Sequence, residues 1–366
     1  MSFAKIHMNK RILITGSEGY LGSVIAPFLI ERGYDTTGLD IGLFNDALLY
    51  KAPHFRVIKK DARNVSARDL RGIDAVVHLA GISINDPFGN LPPEKLYGPT
   101  REYARNIAAL CKKAGVKFIF ASSCSIYGKS GEEMLNEDSV VHPQIDYAKN
   151  KLQVEEDLAL LADKSFSPIA LRFATAFGTS PRMRFDIVIN MFAGMAFTEK
   201  KITLNSDGQA WRPNVHISDI ARAVECALRA DYAGGKLLVL NVGTENNNMK
   251  IADIANIVSE ECGGTPILFA FKEARGARSA FVTSAAVSAS GADSRNYRVS
   301  FALVKEYFPD FECKYSVRYG VKEMLAQFRK INMTPAQFRD RGFYRIKRLE
   351  DLYSKGEIDS EVRLKK

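Results

Sequence analysis

Short apolar runs alternate with amphipathic stretches through the first half of the chain. Residues 12–14 run into Thr15-Gly16-Ser17-Glu18-Gly19-Tyr20-Leu21-Gly22, and a helical apolar period follows to about residue 32. This predicts a strand, a glycine turn and a helix. Residues 34–40 read as a second strand ending in Asp40, and 55–58 as a third followed by Asp61 and Ala62. Residues 75–81 read as a fourth strand whose end is Leu79-Ala80-Gly81, and 116–121 as a fifth running into Ser122-Ser123-Cys124-Ser125. Helical patterns cover 91–113 and 146–161, and a sixth strand covers 168–173. Strand and helix in strict alternation predict an α/β fold, a parallel sheet with helices on both faces.

The second half is less regular. Residues 178–214 read as loop and helix, 216–230 as helix, 237–242 as a short strand and 249–262 as an amphipathic helix. Residues 274–294, rich in Ala, Ser and Gly, read as a loop, and the last 40 residues as basic helices. No internal repeat or linker separates the parts. The longest apolar runs are strand-sized, so no membrane-spanning helix is expected.

The three glycines have a physical reading. Gly16 can take positive φ in the turn, Gly19 lets backbone approach a phosphate, and Gly22 allows close helix–strand packing. The arrangement sets a dinucleotide pyrophosphate on a helix N-terminus. Asp40, 18 residues beyond Gly22, stands where a carboxylate accepts hydrogen bonds from the adenosine ribose. A carboxylate there repels a 2′-phosphate and so favours NAD over NADP.

Composition changes this picture little. Five cysteines without a close pair suit a reducing compartment, with the cytoplasm as the expected location, and no His/Cys/Asp/Glu group has metal spacing. The N-terminal ten residues lack the apolar core of a secretion signal. A net charge of +9 is densest at 339–348 and the C-terminus, but no nucleic-acid module accompanies it, so no nucleic-acid partner is expected.

The chemistry concentrates in Ser123 and in Tyr147-Ala148-Lys149-Asn150-Lys151. Tyr147 and Lys151 are four apart on a predicted helix and share a face. A phenol is a poor base near neutrality, and a nearby ammonium stabilises its phenolate. Tyr147 can then take a proton from a substrate hydroxyl that Ser123 orients. A second Tyr-x-x-x-Lys, at Tyr232 and Lys236, spans two glycines and is read as chance, and His78 and His142 are read as structural.

These pieces resemble the extended short-chain dehydrogenase/reductases of the NAD-dependent epimerase/dehydratase family, which act on nucleotide sugars. The matching motifs are Thr15-Gly16-x-x-Gly19-Tyr20-Leu21-Gly22, Asp40, Asp61, His78-Leu79-Ala80-Gly81, Ser122-Ser123-x-x-Ile126-Tyr127-Gly128 and Tyr147-x-x-x-Lys151. Leu171-Arg172-Phe173 and Arg212-Pro213-Asn214-Val215-His216-Ile217-Ser218-Asp219 follow in order. The resemblance implies a Rossmann-type doubly wound sheet over 8–175, with 214–245, and a smaller mixed α/β substrate-binding part over 176–213 and 246–366. It implies cofactor contacts from Gly16, Gly19, Tyr20, Leu21, Gly22, Asp40, Asp61, Ala62, Leu79, Ala80, Gly81, Ser122, Tyr147, Lys151 and Phe173. Substrate contacts are expected from Ser123, Cys124, Ser125, Asn190 and Arg212, whose guanidinium would bind a diphosphate. A second such arginine is expected later, Arg278 or Arg295. His216 and Asp219 are expected to hold the substrate part against the sheet. A homodimer pairing helices 96–113 and 146–161 is implied as well.

Departures from the family pattern narrow the reaction. Family dehydratases place Asp-Glu after the active-site hydroxyl residue, and decarboxylases keep a Glu there; this chain has Cys124 and Ser125. Dehydration and decarboxylation are therefore disfavoured. An asparagine usual near Thr100 is missing, and Ala174-Thr175 replaces an Asn-containing segment. The expectation is an epimerase working by reversible hydride transfer through a keto sugar. A ketoreductase or dehydrogenase with exchangeable NAD(H) is the alternative.

Overall fold

The computed structural model describes residues 10–83, 91–270 and 295–365. The elements in chain order are β1 (Arg11–Thr15), α1 (Gly22–Glu31), β2 (Asp35–Asp40), β3 (Val57–Lys59), β4 (Ala75–His78), α2 (Pro93–Ala114) and β5 (Lys117–Ser123). There follow β6 (Lys129–Leu135), α3 (Asp146–Leu161), β7 (Ile169–Phe173), β8 (Thr175–Phe177), α4 (Val188–Glu199), β9 (Ile202–Leu204) and β10 (Trp211–His216). The remainder comprises α5 (Ile217–Arg229), β11 (Leu238–Val242), β12 (Asn248–Lys250), α6 (Ile251–Glu261), β13 (Ile267–Phe269), β14 (Asn296–Val299), α7 (Leu303–Tyr307), α8 (Val317–Lys330), α9 (Pro335–Arg339) and α10 (Arg345–Ser354).

Seven strands form one parallel sheet in the order β11-β7-β5-β4-β1-β2-β3. Because helices cover both faces, its central strands are continuous apolar runs, and Ile12, Leu13 and Ile14 are fully buried. On one face Ile25, Ala26 and Leu29 of α1 pack with Ile220, Val224 and Ala227 of α5. On the other Ala104, Ile107 and Ala108 of α2 pack with Val154 and Leu158 of α3. Asn150 Nδ2 donates to the Tyr97 carbonyl at 2.9 Å, and Arg101 grips Asp157 with two bonds of 2.7 and 2.8 Å, which fixes α3 against α2. Strand order reverses between β1 and β4. A cleft must open at the carboxyl ends there, because the connections on its two sides leave in opposite directions.

A second core lies beside the sheet. It draws on Phe185, Phe192, Met324, Phe328, Phe338 and Phe343, from α4, α8, α9 and the segments around them. A small sheet β12-β10-β8 joins this core to the large one. Asp219 fastens the join: its carboxylate accepts from the backbone N–H of Lys314 at 3.0 Å and of Tyr315 at 3.2 Å. His216 Nδ1 accepts from Ser218 N at the start of α5, and its Nε2 meets Glu323 of α8 at 3.1 Å.

Three differences from the sequence reading stand out. The third strand is Val57–Lys59, shifted toward Asp61. Residues 129–135, to which the sequence pattern assigns no element, form β6 because β14, far away in sequence, supplies its hydrogen-bond partner. Residues 178–214 include two strands, β9 and β10, besides helix α4. Residues 274–294 lie outside the described residues.

Candidate functional site

The cleft at the switch point is a cavity of about 430 Å³. Its floor is the glycine turn. Gly16 has φ +74°, and a Cβ on it would stand 2.7 Å from Ala80 N. A Cβ on Gly22 would stand 2.4 Å from the Gly16 carbonyl oxygen and 2.6 Å from Ser17 Cα. Both obstacles are backbone, so neither position accepts a side chain without opening the turn. Gly19, Tyr20, Leu21, Leu79, Ala80 and Gly81 line the same floor. Leu21 and Gly22, where α1 begins, line the cavity, so the positive end of the helix dipole borders it.

Asp40 stands on the cavity wall at the end of β2. Its carboxylate accepts from Glu18 N at 2.9 Å and Gly42 N at 2.7 Å, which fixes its plane. Burial raises its pKa, and those two N–H groups oppose the rise. Asp61 caps the turn Ala62–Asn64 and binds Arg63 through its backbone N–H and guanidinium, both at 2.9 Å. Asp61 and Ala62 line the far end of the cavity.

At the other end Ser123, Tyr147 and Lys151 converge. Ser123 closes β5 and its hydroxyl accepts from Ser125 N at 3.2 Å. Lys151 is buried, donates to the Ala121 carbonyl at 2.7 Å, and sits 4.6 Å from the Phe120 ring centre and 5.7 Å from that of Tyr147. Burial lowers its pKa to about 8, with the Glu155 charge opposing the fall. It is therefore still a cation at neutral pH. Burial raises the Tyr147 pKa; the Arg184 charge is the largest opposing influence, followed by hydrogen bonds with Ser123 and Ser83.

Arg184 was missed in the sequence. Its guanidinium pairs with Asp186 at 2.9 and 3.1 Å and donates to the Ser83 hydroxyl and carbonyl, both at 3.0 Å. An Arg two residues from an Asp reads as a surface pair in a sequence. Only the packing of segment 182–187 over the cavity carries it to the phenol.

Beneath this set lies a buried polar network. Glu155 accepts three bonds from Arg172, at 2.7, 3.1 and 3.2 Å, and one from the Ser122 hydroxyl. Arg172 also donates to Tyr127 Oη at 3.0 Å, and that phenol donates to Asn241 at 2.9 Å. Burial works against the Arg172 charge, but the bonds and charge of Glu155 more than offset it and raise its pKa. Ser122 and Phe173 line the cavity above.

Several expected substrate contacts fall differently. Ser125 is on the wall, and its hydroxyl has no hydrogen-bond partner among the described residues. Cys124 is turned away: it is buried and its thiol donates to the Arg172 carbonyl at 3.1 Å. Asn190, expected at the substrate, is fully buried. Its amide accepts from Gly178 N and donates to Tyr20 Oη and the Arg184 carbonyl, so it braces the wall from behind. Arg212 and Arg295 both line the cavity, and Arg212 donates to the Arg295 carbonyl. Arg278 lies outside the described residues. His78 is buried and neutral; burial and then the Lys151 charge lower its pKa to about 3, and it bonds Thr15 Oγ1 at 2.8 Å.

Residues 345–362, counted with the substrate part on sequence, line the other side of the cavity through Arg345, Leu349 and Val362. Leu349, Leu352, Ile358 and Val362 pack there with Leu43, Leu96 and Tyr97. The sequence signalled only a basic helix.

A switch-point cleft floored by glycines, with Ser, Tyr and Lys at its mouth, defines a dinucleotide-dependent oxidoreductase of the short-chain type. The chain belongs to the NAD dependent epimerase/dehydratase family, whose model matches residues 12–243. It is 27% identical over 252 residues to the UDP-glucose 4-epimerase of Corynebacterium glutamicum, covering 64% of this chain and 75% of that one. It is also 27% identical over 270 residues to a protein of Bacillus subtilis described as an uncharacterized UDP-glucose epimerase, covering 68% of this chain and 82% of that one. Among solved structures, the UDP-glucose 4-epimerase of Thermotoga maritima with UDP-glucose matches with a TM-score of 0.70 at 21% identity, over 87% of this chain and 99% of that one. The cofactor of the family is NAD, and the cradle fits it: Gly16 and Gly22 leave room only for bare backbone, and Asp40 offers a fixed carboxylate. Among the described residues, no group of three His, Cys, Asp or Glu could hold a metal ion, and no helix is long and apolar enough to cross a membrane.

Proposed function

We propose that this chain is an NAD-dependent epimerase of a nucleotide sugar, working by reversible oxidation of a carbinol. The observation that carries the reading is the convergence of Ser123, Tyr147 and Lys151 on one cavity that lacks the neighbouring carboxylates of a dehydratase. When bound, NAD supplies a reversible hydride acceptor. The glycine turn would hold its diphosphate, Asp40 its adenosine ribose, and Asp61 and Ala62 the adenine end.

The chain's own residues handle the proton. Ser123 hydrogen-bonds the substrate hydroxyl and aims it at Tyr147 Oη. Tyr147 takes that proton as the carbinol becomes a ketone; burial raises its pKa, contrary to the lowering expected from Lys151, and the Arg184 charge is the largest influence opposing that rise. The same phenol returns the proton when the ketone is reduced on its other face, so no proton is gained or lost over the cycle. Arg212 and Arg295 supply the charge for a substrate diphosphate. The cofactor part over 8–175 with 214–245 and the substrate part over the remainder belong to this proposal, with residues 345–362 reassigned to the cofactor side.

The purified protein is expected to retain NAD and to convert one member of a panel of UDP-, GDP-, CDP- and dTDP-sugars into its epimer, read by NMR. Steady production or consumption of NADH with that sugar would sink the epimerase reading in favour of a ketoreductase or dehydrogenase. A homodimer through the outer faces of α2 and α3 is part of the same proposal. Sedimentation velocity is expected to give twice the chain mass, and a species of single chain mass at micromolar concentration would exclude the dimer.

A further inference from the structure

The C-terminal segment brings a cation to the cofactor cavity from well outside the residues that match the family. Arg345, the first residue of α10, is 6% exposed and lines the cavity. Its guanidinium lies 3.9 Å from the centre of the Phe44 ring, and its one hydrogen bond among the described residues is to the Arg182 carbonyl at 3.4 Å. Among the described residues no carboxylate stands within ion-pair distance of it. Asp186, the nearest candidate, is paired with Arg184 and reaches Arg345 only through its backbone N–H, at 3.1 Å. Burial first, and the Arg184 charge second, lower the Arg345 pKa. A cation so enclosed is costly unless an anion joins it.

Its position says which anion. The Ser180 hydroxyl donates to the Tyr20 carbonyl of the glycine turn at 2.9 Å, and Arg182 N donates to that same hydroxyl at 3.1 Å. Arg345 hangs from the Arg182 carbonyl, so its guanidinium is anchored to the rim of the turn. From there α10 follows the loop after Asp40. Arg348 donates to the Leu43 carbonyl at 3.1 Å and pairs with Asp46 at 2.8 Å. Farther on, the Glu361 carbonyl accepts from Arg63, beside Asp61. The segment thus runs along the cavity from the turn to the adenine end.

We infer that Arg345 is a ligand for the cofactor's diphosphate, closing from the C-terminal side the charge that the α1 N-terminus meets from below. This rests on the assignment of the cleft to NAD. A planar guanidinium suits a diphosphate because it can donate two parallel bonds.

Isothermal titration of the full chain and of Arg345→Met with NAD, adenosine and UDP tests this. In Arg345→Met, NAD affinity is expected to fall roughly tenfold or more, while adenosine and UDP affinities hold within about twofold. Unchanged NAD affinity overturns the inference. So does a loss confined to UDP, which would give Arg345 to the nucleotide-sugar diphosphate. If Arg345→Met does not fold, Arg345→Lys keeps the charge and is expected to weaken NAD alone by about threefold, since one donor replaces a fork; no change there also overturns it. Failure of the wild-type chain to bind NAD would instead refute the cofactor assignment.

Discussion

Tyr147→Phe is expected to lower kcat by about 10²–10⁴-fold on whichever nucleotide sugar the protein turns over. The ring stays, so its packing over Lys151 and along α3 is kept; the oxygen that carries the proton goes. NAD affinity is expected to stay within about threefold, because no charge is changed and the diphosphate cradle lies at the glycine turn. The pair of readouts matters. A loss of turnover together with a loss of NAD would mean that the phenol organises the cavity and does not transfer the proton. Turnover within about twofold of wild type would remove Tyr147 from the chemistry altogether.

The second large effect concerns stability. Glu155→Ala is expected to destabilise the fold by about 3–5 kcal/mol in urea unfolding, because Arg172 is left charged and enclosed without its hydrogen-bonded carboxylate. Arg172 is only 6% exposed and Glu155 4%, so water cannot take the lost partner's place. Replacing both residues by methionine is expected to recover much of that loss, since the cost lies in the stranded charge more than in the missing attraction. A destabilisation by Glu155→Ala below about 1 kcal/mol would show that water or a rearranged Tyr127 satisfies Arg172. The same substitution removes the charge that keeps the Lys151 pKa from falling further. The alkaline limb of any pH–rate profile should therefore move to lower pH.

The parts of this molecule that were legible in sequence are those whose geometry is local. Gly16, Gly19, Gly22 and Asp40 belong to one strand–turn–helix–strand unit. Its backbone demands glycine where a Cβ would strike Ala80 or the Gly16 carbonyl. Tyr147 and Lys151 share a helix face by spacing alone. What sequence could not show depends on distant segments meeting. Arg184 reaches the phenol because residues 182–187 fold over the cavity. Strand β6 exists because β14 runs beside it. Cys124 follows Ser123 directly, yet its thiol points to Arg172 in the interior, because the chain leaves β5 through a tight turn that sets Ser125, itself buried, on the cavity wall instead. Asn190 was placed at the substrate by its position in the chain; its amide bonds to Tyr20, Gly178 and Arg184 put it behind the wall.

The wall of the cleft is assembled from residues as early as Gly16 and as late as Val362. This has a consequence for biogenesis. All seven strands of the sheet have left the ribosome once Val242 is out, and the nascent chain then displays an open groove with the apolar faces of Leu43 and Leu96 uncovered. More than a hundred further residues must be translated before α10 and the stretch to Val362 can dock. Completion of the cleft wall is thereby tied to the synthesis of residues 345–362, and a chain cut before them carries the full sheet without Arg345, Leu349 and Val362 on its cavity wall.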